Sequence, residues 1–203
     1  MRLTNEALVD DGFQAITSLS RALGRRVELS DVGSVVWVLL GQMVPCDAMA
    51  LFTLDEAEGQ LTVRFAAGAH AALLKGITRP AGSGIAGWVA VNRRSVVNAE
   101  PVFDLGVHAR APHTLRSSAV VPLIDNGTVV AVLALYSKNL LGFTDDHVSM
   151  LELLGPRLAL ALSARSTGAA DDALTIVPRP ALQLVPRDTR LPLYSADVAD
   201  HSL

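Results

Sequence analysis

The order of amphipathic segments predicts an α+β fold: a mostly antiparallel sheet of five or six strands with helices packed on it. Three observations predict it. Two pairs of strand-like runs are each joined by a turn signal, stripes at helical spacing stand before, between and after them, and a proline-rich composition takes over near residue 168. The expected organisation is an N-terminal amphipathic helix and connector over 1–29, one domain over 30–165, and a disordered tail over 166–203.

The first segment, about 4–24, spaces Val9, Phe13, Ile16, Leu19 and Leu23 by threes and fours and stops at Gly24. A lone amphipathic helix ahead of a domain packs on that domain or pairs with its copy, and pairing in a homodimer is the favoured expectation. A second helix starts with Ser30 or Asp31 as its cap, buries Val32, Val35, Val36, Leu39, Leu40 and Met43, and is closed by Pro45. Residues 47–54 and 61–66 flank the acidic turn Asp55-Glu56-Ala57-Glu58-Gly59 and read as a hairpin with one buried face and one wet face. From Gly68 to Ala81 the chain reads as a connection, with room for a helical turn near 70–75.

Gly82-Ser83-Gly84-Ile85-Ala86-Gly87-Trp88 spells G-x-G-x-x-G, the pattern that sets a helix N-terminus against a dinucleotide pyrophosphate. Such a site needs a buried strand before it and a carboxylate about 20 residues on. Asp104 stands at that distance, but Lys75-Gly76-Ile77-Thr78-Arg79-Pro80-Ala81 is no apolar strand. The stretch therefore reads as a loop and short helix with Ile85, Trp88 and Val89 on one face, ended by Asn92 and followed by a strand from Ser95. Residues 99–114 hold two prolines, two histidines and no period, so they form a long loop. Next come a strand over 116–124, the Asn126-Gly127 hairpin turn, and a partner over 128–137 that is apolar throughout 129–135 and hence central. Thr144 caps a last helix whose stripe is Val148, Leu151, Leu154, Leu158, Ala161 and Leu162, with Pro156 inside it. Four of the ten prolines fall at 178, 180, 186 and 192, in a tail that cannot bury a core.

Composition removes several classes of function. No apolar run approaches the ~18–20 residues of a membrane span, and the N-terminus lacks the apolar core of a signal peptide, so the expected compartment is the cytoplasm. A formal net charge of −3 without basic runs speaks against nucleic acid. A single cysteine, Cys46, makes no internal disulfide; it heads into a buried strand and reads as a packed thiol.

Three pieces now carry a resemblance: Gly82-Ser83-Gly84-Ile85-Ala86-Gly87-Trp88-Val89; Ser117-Ser118-Ala119-Val120-Val121-Pro122-Leu123 with the Asn126-Gly127 turn and Val132-Leu133-Ala134-Leu135; and Phe143-Thr144-Asp145-Asp146-His147. In that order and spacing, the chain from about Ser30 to Ala164 resembles a GAF domain, the small sensor module of signalling proteins. Asp47-Ala48-Met49-Ala50-Leu51 and Ala134-Leu135-Tyr136 are most similar to GAF domains placed before diguanylate cyclases, although residues 176–203 are too few to form that output domain. The resemblance implies a GAF/PAS-like sandwich, a small-molecule ligand between sheet and covering helix, dimerisation through terminal helices, and an output partner or domain. It places Phe65, Ile85, Trp88, Asp104, His108, His113, Leu115 and Ser117 around the pocket.

Chemistry of other kinds finds little support. His108 and His113 stand five apart without a cysteine or carboxylate cluster, which disfavours zinc. A haem needs one axial histidine, and some haem-binding GAF domains take it from the loop where His113 falls; loop histidines, however, are usually exposed. No cofactor is required by the sequence. Enzymatic activity is not expected, since GAF-like methionine sulfoxide reductases need cysteines and this chain has one. The alternatives left open are a small-molecule sensor and a ligand-free dimerisation module.

Overall fold

The computed structural model describes residues 28–68, 71–74, 76–106, 115–163 and 175–177, together with Asp10 and Gln14. Its helices are α1 (Leu29–Met43), α2 (Ala71–Leu74), α3 (Gly84–Asn92), α4 (Val102–Leu105) and α5 (Asp145–Ser163). Its strands are β1 (Ala48–Asp55), β2 (Gln60–Gly68), β3 (Thr78–Pro80), β4 (Val96–Ala99), β5 (Ser117–Asp125), β6 (Thr128–Ser137) and β7 (Thr175–Val177). Six strands run in the order β3-β2-β1-β6-β5-β4 with every neighbour antiparallel, and β7 adds to β2 in parallel. The expected α+β architecture with an antiparallel sheet is thus the observed one.

Both faces of this sheet are covered, so the β1–β2 hairpin has no wet face. On one face α1 and α5 bury Trp37, Leu40, Leu151, Leu154 and Leu158 against Met49, Phe65, Leu133 and Leu135. On the other, α2, α3 and the residues around α4 cover Phe52, Leu61, Val63, Val132 and Tyr136. The strand expected to be central, β6, lies between β1 and β5 and is buried from Ala131 onward.

Side-chain caps set the helix limits. Glu28 rather than Ser30 or Asp31 is the N-cap of α1: its side chain accepts from the N3 backbone, and its own N–H donates to Asp31 Oδ2 at 2.9 Å. The buried stripe of α1 is Leu29, Val32, Gly33, Val36, Trp37 and Leu40, rotated from the expected one, which left out Trp37 and included Val35 and Met43. At α5 the expected cap holds: the His147 N–H donates to Thr144 Oγ1 at 3.3 Å, and the Thr144 N–H donates to His147 Nδ1 at 3.2 Å. Pro156 lies within α5 and is exposed.

Between 68 and 81 the expected connection contains α2 and the short edge strand β3. Of the N-terminal segment, Asp10 and Gln14 are described and helical, and the Asp10 carboxylate pairs with Arg157 of α5 at 3.0 Å. The rest of that expected helix lies outside the described residues. In the tail, Thr175–Val177 forms a strand on β2, where disorder was expected; the remainder of 166–203 is also outside the described residues.

Gly33 is where α1 comes closest to the sheet. A Cβ built there would stand 2.6–2.7 Å from both Cδ atoms of the Phe65 ring, which is itself fully buried and has nowhere to turn. Gly33→Ala is expected to lose about 1–3 kcal/mol through overpacking. Thermal denaturation checks this, with Gly41→Ala as the control, because a Cβ at Gly41 meets nothing within 4 Å.

Candidate functional site

The loop before α3 is shaped by close backbone approaches. Gly87 passes so near β3 that a Cβ would lie 2.6 Å from the Pro80 carbonyl oxygen, and the Gly82 N–H donates to the Gly87 carbonyl at 2.9 Å. Gly84, with φ +68°, opens the helix where a Cβ would stand 2.6 Å from Asp104 Oδ1. The pattern that suggested a phosphate cradle is therefore a packing device between β3, α3 and α4.

The helix N-terminus that would hold such a phosphate is filled from within. Asp104 is fully buried, and its Oδ1 accepts from the Ile85 N–H at 2.8 Å and the Ala86 N–H at 3.1 Å. A carboxylate there meets both the unpaired amides and the positive end of α3. Arg79 of β3 completes the arrangement by donating through Nε to the Asp104 backbone carbonyl at 2.9 Å, with Nη2 donating to the same oxygen. Burial pushes the Asp104 carboxyl above its usual range, against the opposing pull of the two amides and of Arg79.

Tyr136 of β6 is the second buried polar group on this face. It is wholly inaccessible, and its hydroxyl has no hydrogen-bond partner among the described residues. A buried unpaired hydroxyl costs about 1–3 kcal/mol. Burial drives its phenol well above the ordinary tyrosine value; the Asp104 charge adds to that, and Arg79 opposes it. Tyr136 therefore stays protonated and can donate. Neither Tyr136 nor Arg79 stands out in the sequence; their signals are a tyrosine at the end of an otherwise aliphatic central strand and an arginine in a short edge strand.

The structure divides the eight residues expected around a pocket. Ile85, Asp104 and Leu115 gather on the α3 side of the sheet. Trp88 does not join them: the inward face of α3 is Ile85, Ala86, Val89 and Ala90, and Trp88 is turned outward and 41% exposed. Phe65 lies on the opposite face, under α1. The cause is a bulge: Leu51 pairs with Phe65 but Phe52 pairs with Val63, so Arg64 is an extra residue that reverses the alternation. Ser117 also belongs to the other side, where its Oγ donates to the Asn139 carbonyl at 2.7 Å and accepts from the Gly142 N–H at 3.2 Å. Its neighbour Ser118 takes the α3 side and donates to the Ala99 carbonyl at 3.0 Å. His108 and His113 lie outside the described residues, as does His70. Among the described residues no group of three or more His, Cys, Asp or Glu is placed to hold a metal ion, and no helix is long and apolar enough to cross a membrane. Cys46 is buried.

A six-stranded antiparallel sheet with helices on both faces is an α+β sandwich. The GAF-domain family model matches residues 29–163, and the chain belongs to the GAF domain family. Solved structures share the fold at low identity. The GAF domain from an Acinetobacter phosphoenolpyruvate-protein phosphotransferase is similar at 16% identity, with a TM-score of 0.60 over 82% of this chain and 96% of that one. A free methionine-R-sulfoxide reductase from Neisseria meningitidis, solved with its substrate, is similar at 21% identity, with a TM-score of 0.57 over 81% and 93%. The GAF domain of a two-component sensor histidine kinase from Bacillus halodurans is similar at 18% identity, with a TM-score of 0.57 over 70% and 98%. No curated protein matches the sequence.

The raised pKa of Asp104 gives stability a defined pH dependence. Its folded-state value lies above the unfolded value of 3.8, so between the two the native protein holds the extra proton. The contribution is therefore fully present below 3.8 and is lost as pH rises through the folded value. In Asp104→Asn the side-chain oxygen can still accept from the amides while the titration is gone. The difference in melting temperature, wild type minus variant, is expected to fall as pH is raised from 3.5 through that window, then level off; melts at half-unit pH intervals check it.

Proposed function

We propose that this chain is a sensory or regulatory GAF module, without catalytic activity, that takes a small molecule between the sheet and α3 and passes its occupancy to a signalling partner or output domain. The observation that carries this reading is the way α3 is held. Its start is bound to one buried carboxylate, while its C-terminal end leads through Arg93, in a left-handed conformation, directly into β4. A ligand that moved α3 would act first on that strand.

Side chains of β4 and of the residue before it reach α5 and the segment that leads into it. The Asn98 amide donates to the Phe143 carbonyl at 2.7 Å and accepts from the Phe143 N–H at 3.1 Å, one residue before Thr144. Ser95 Oγ donates to Glu152 at 2.6 Å. Leu153 and Leu160 of α5 are 38% and 62% exposed on either side of Arg157, which pairs with Asp10. Apolar residues so placed support pairing of terminal helices between two copies, and GAF domains of a sensor kinase and of a phosphotransferase share the fold. In this scheme two positions of α3 correspond to two packings of α5.

A thermal-shift screen of metabolites, cyclic nucleotides and porphyrins tests the sensing reading. At least one compound is expected to raise the melting temperature in proportion to the logarithm of its concentration above Kd. If none does so, the domain is a ligand-free dimerisation module. Light scattering on the eluting protein is expected to give twice the 21.4 kDa chain mass, and Leu160→Glu to reduce it to one chain.

A further inference from the structure

On the α3 side the middle of the sheet is built from side chains that end at Cβ. Ala50 pairs with Ala66 on one strand and with Ala134 on the other, and all three belong to the core beneath α3. The flanking row carries Phe52 and Val132 at the equivalent places. Above the alanines, α3 contributes Ala86 and Ala90. The next row of the same face holds Ala48, Tyr136 and Ser118 in register, and Tyr136 brings a buried hydroxyl with no partner among the described residues. Ser118 is already committed to Ala99.

We propose that the Tyr136 hydroxyl is the polar anchor of a ligand site over the Ala50–Ala66–Ala134 floor, and that the ligand is an uncharged small molecule with a compact apolar body and a carbonyl oxygen that accepts from the phenol. It rests on the sensing role proposed above and names the class of molecule sensed. Three facts select this chemistry. A phenol that stays protonated offers a donor, and a carbonyl is the group that answers it. The methyl floor offers no polar partner, so the body of the ligand must be apolar. The charge of Asp104 acts on Tyr136 more strongly than that of Arg79, so an anion at the phenol meets a negative field. A phosphate or carboxylate is further disfavoured because Asp104 already occupies the amides of Ile85 and Ala86.

Isovaleramide, isovalerate and isoamylamine share one branched body and differ in the polar end: neutral carbonyl, anion and cation. With wild-type protein, isovaleramide at millimolar concentration is expected to raise the melting temperature, and the other two to leave it unchanged. Tyr136→Phe is expected to bind the amide about tenfold more weakly, the worth of one hydrogen bond. Without any probe, the same variant is expected to melt at or up to about 4 °C above wild type, because an unpaired buried hydroxyl has been removed. The proposal is overturned if Tyr136→Phe melts well below wild type, which shows that the hydroxyl has a partner. It is equally overturned if the variant keeps full affinity for the amide, if the anion or cation binds as well as the amide, or if none of the three binds. The last result leaves the sensing role to the metabolite screen, which fails separately.

Discussion

The amides that open α3 end on a buried carboxylate, and the layout of that side of the sheet follows from this contact. A helix N-terminus inside a protein leaves N–H groups without partners and a positive end without a counter-charge. Asp104 answers both needs, but it must be brought there and its own burial is costly. The α4 turn brings it, Arg79 fixes the turn by its backbone carbonyl, and Gly84 gives the carboxylate room to approach. β3, α3 and α4 are thereby one assembly, although each is too short to be stable alone. The same contact decides what G-x-G-x-x-G means here: its anion site exists, and the chain itself supplies the anion.

The sheet beneath is asymmetric. Toward α1 and α5 it presents Met49, Phe65, Leu133 and Leu135, which interlock with Trp37 and the leucines of the helices. Toward α3 its centre presents alanines. Large interlocking side chains resist displacement, because any shift opens voids or forces rotamers. A methyl floor under a nine-residue helix has fewer such interlocks, and the polar contacts that hold the helix are concentrated at one end. The centre of the α3 face is therefore held by smaller side chains than the face with α1 and α5.

Most of the architecture was legible because it follows from pattern. Asn126-Gly127, with φ values of +48° and +80°, makes the expected hairpin; the uninterrupted apolar run of β6 made it central; and Thr144 capped α5 as its residue type suggests. Long-range geometry was not legible in the same way. The run Leu61-Thr62-Val63-Arg64-Phe65 alternates without flaw, yet the bulge at Arg64 sends Phe65 to the opposite face, and nothing local announces a bulge that depends on the partner strand. For Trp88, a stripe at i, i+3 and i+4 competed with one at i, i+1, i+4 and i+5, and the alanines won because α3 lies close to the sheet. Asp104 was singled out at the right distance for the wrong partner: spacing identified a carboxylate for the glycine motif, while only the tertiary fold shows that it serves the helix itself.

Tyr136 carries no familiar catalytic or metal-binding signature. At the end of a strand apolar over its preceding seven residues, a tyrosine reads as one more core side chain, and its ring is indeed core. Its hydroxyl sets it apart, because Ser118, its polar neighbour in sheet register on the same face, has spent its donor on the Ala99 carbonyl. Phenylalanine would fill the same space without leaving a donor unpaired. Tyrosine at this position therefore costs stability, a cost that the ligand proposed above would recover by accepting from the hydroxyl. A residue that weakens the unliganded state and rewards the liganded one gives a small molecule the differential affinity needed to shift a two-state equilibrium.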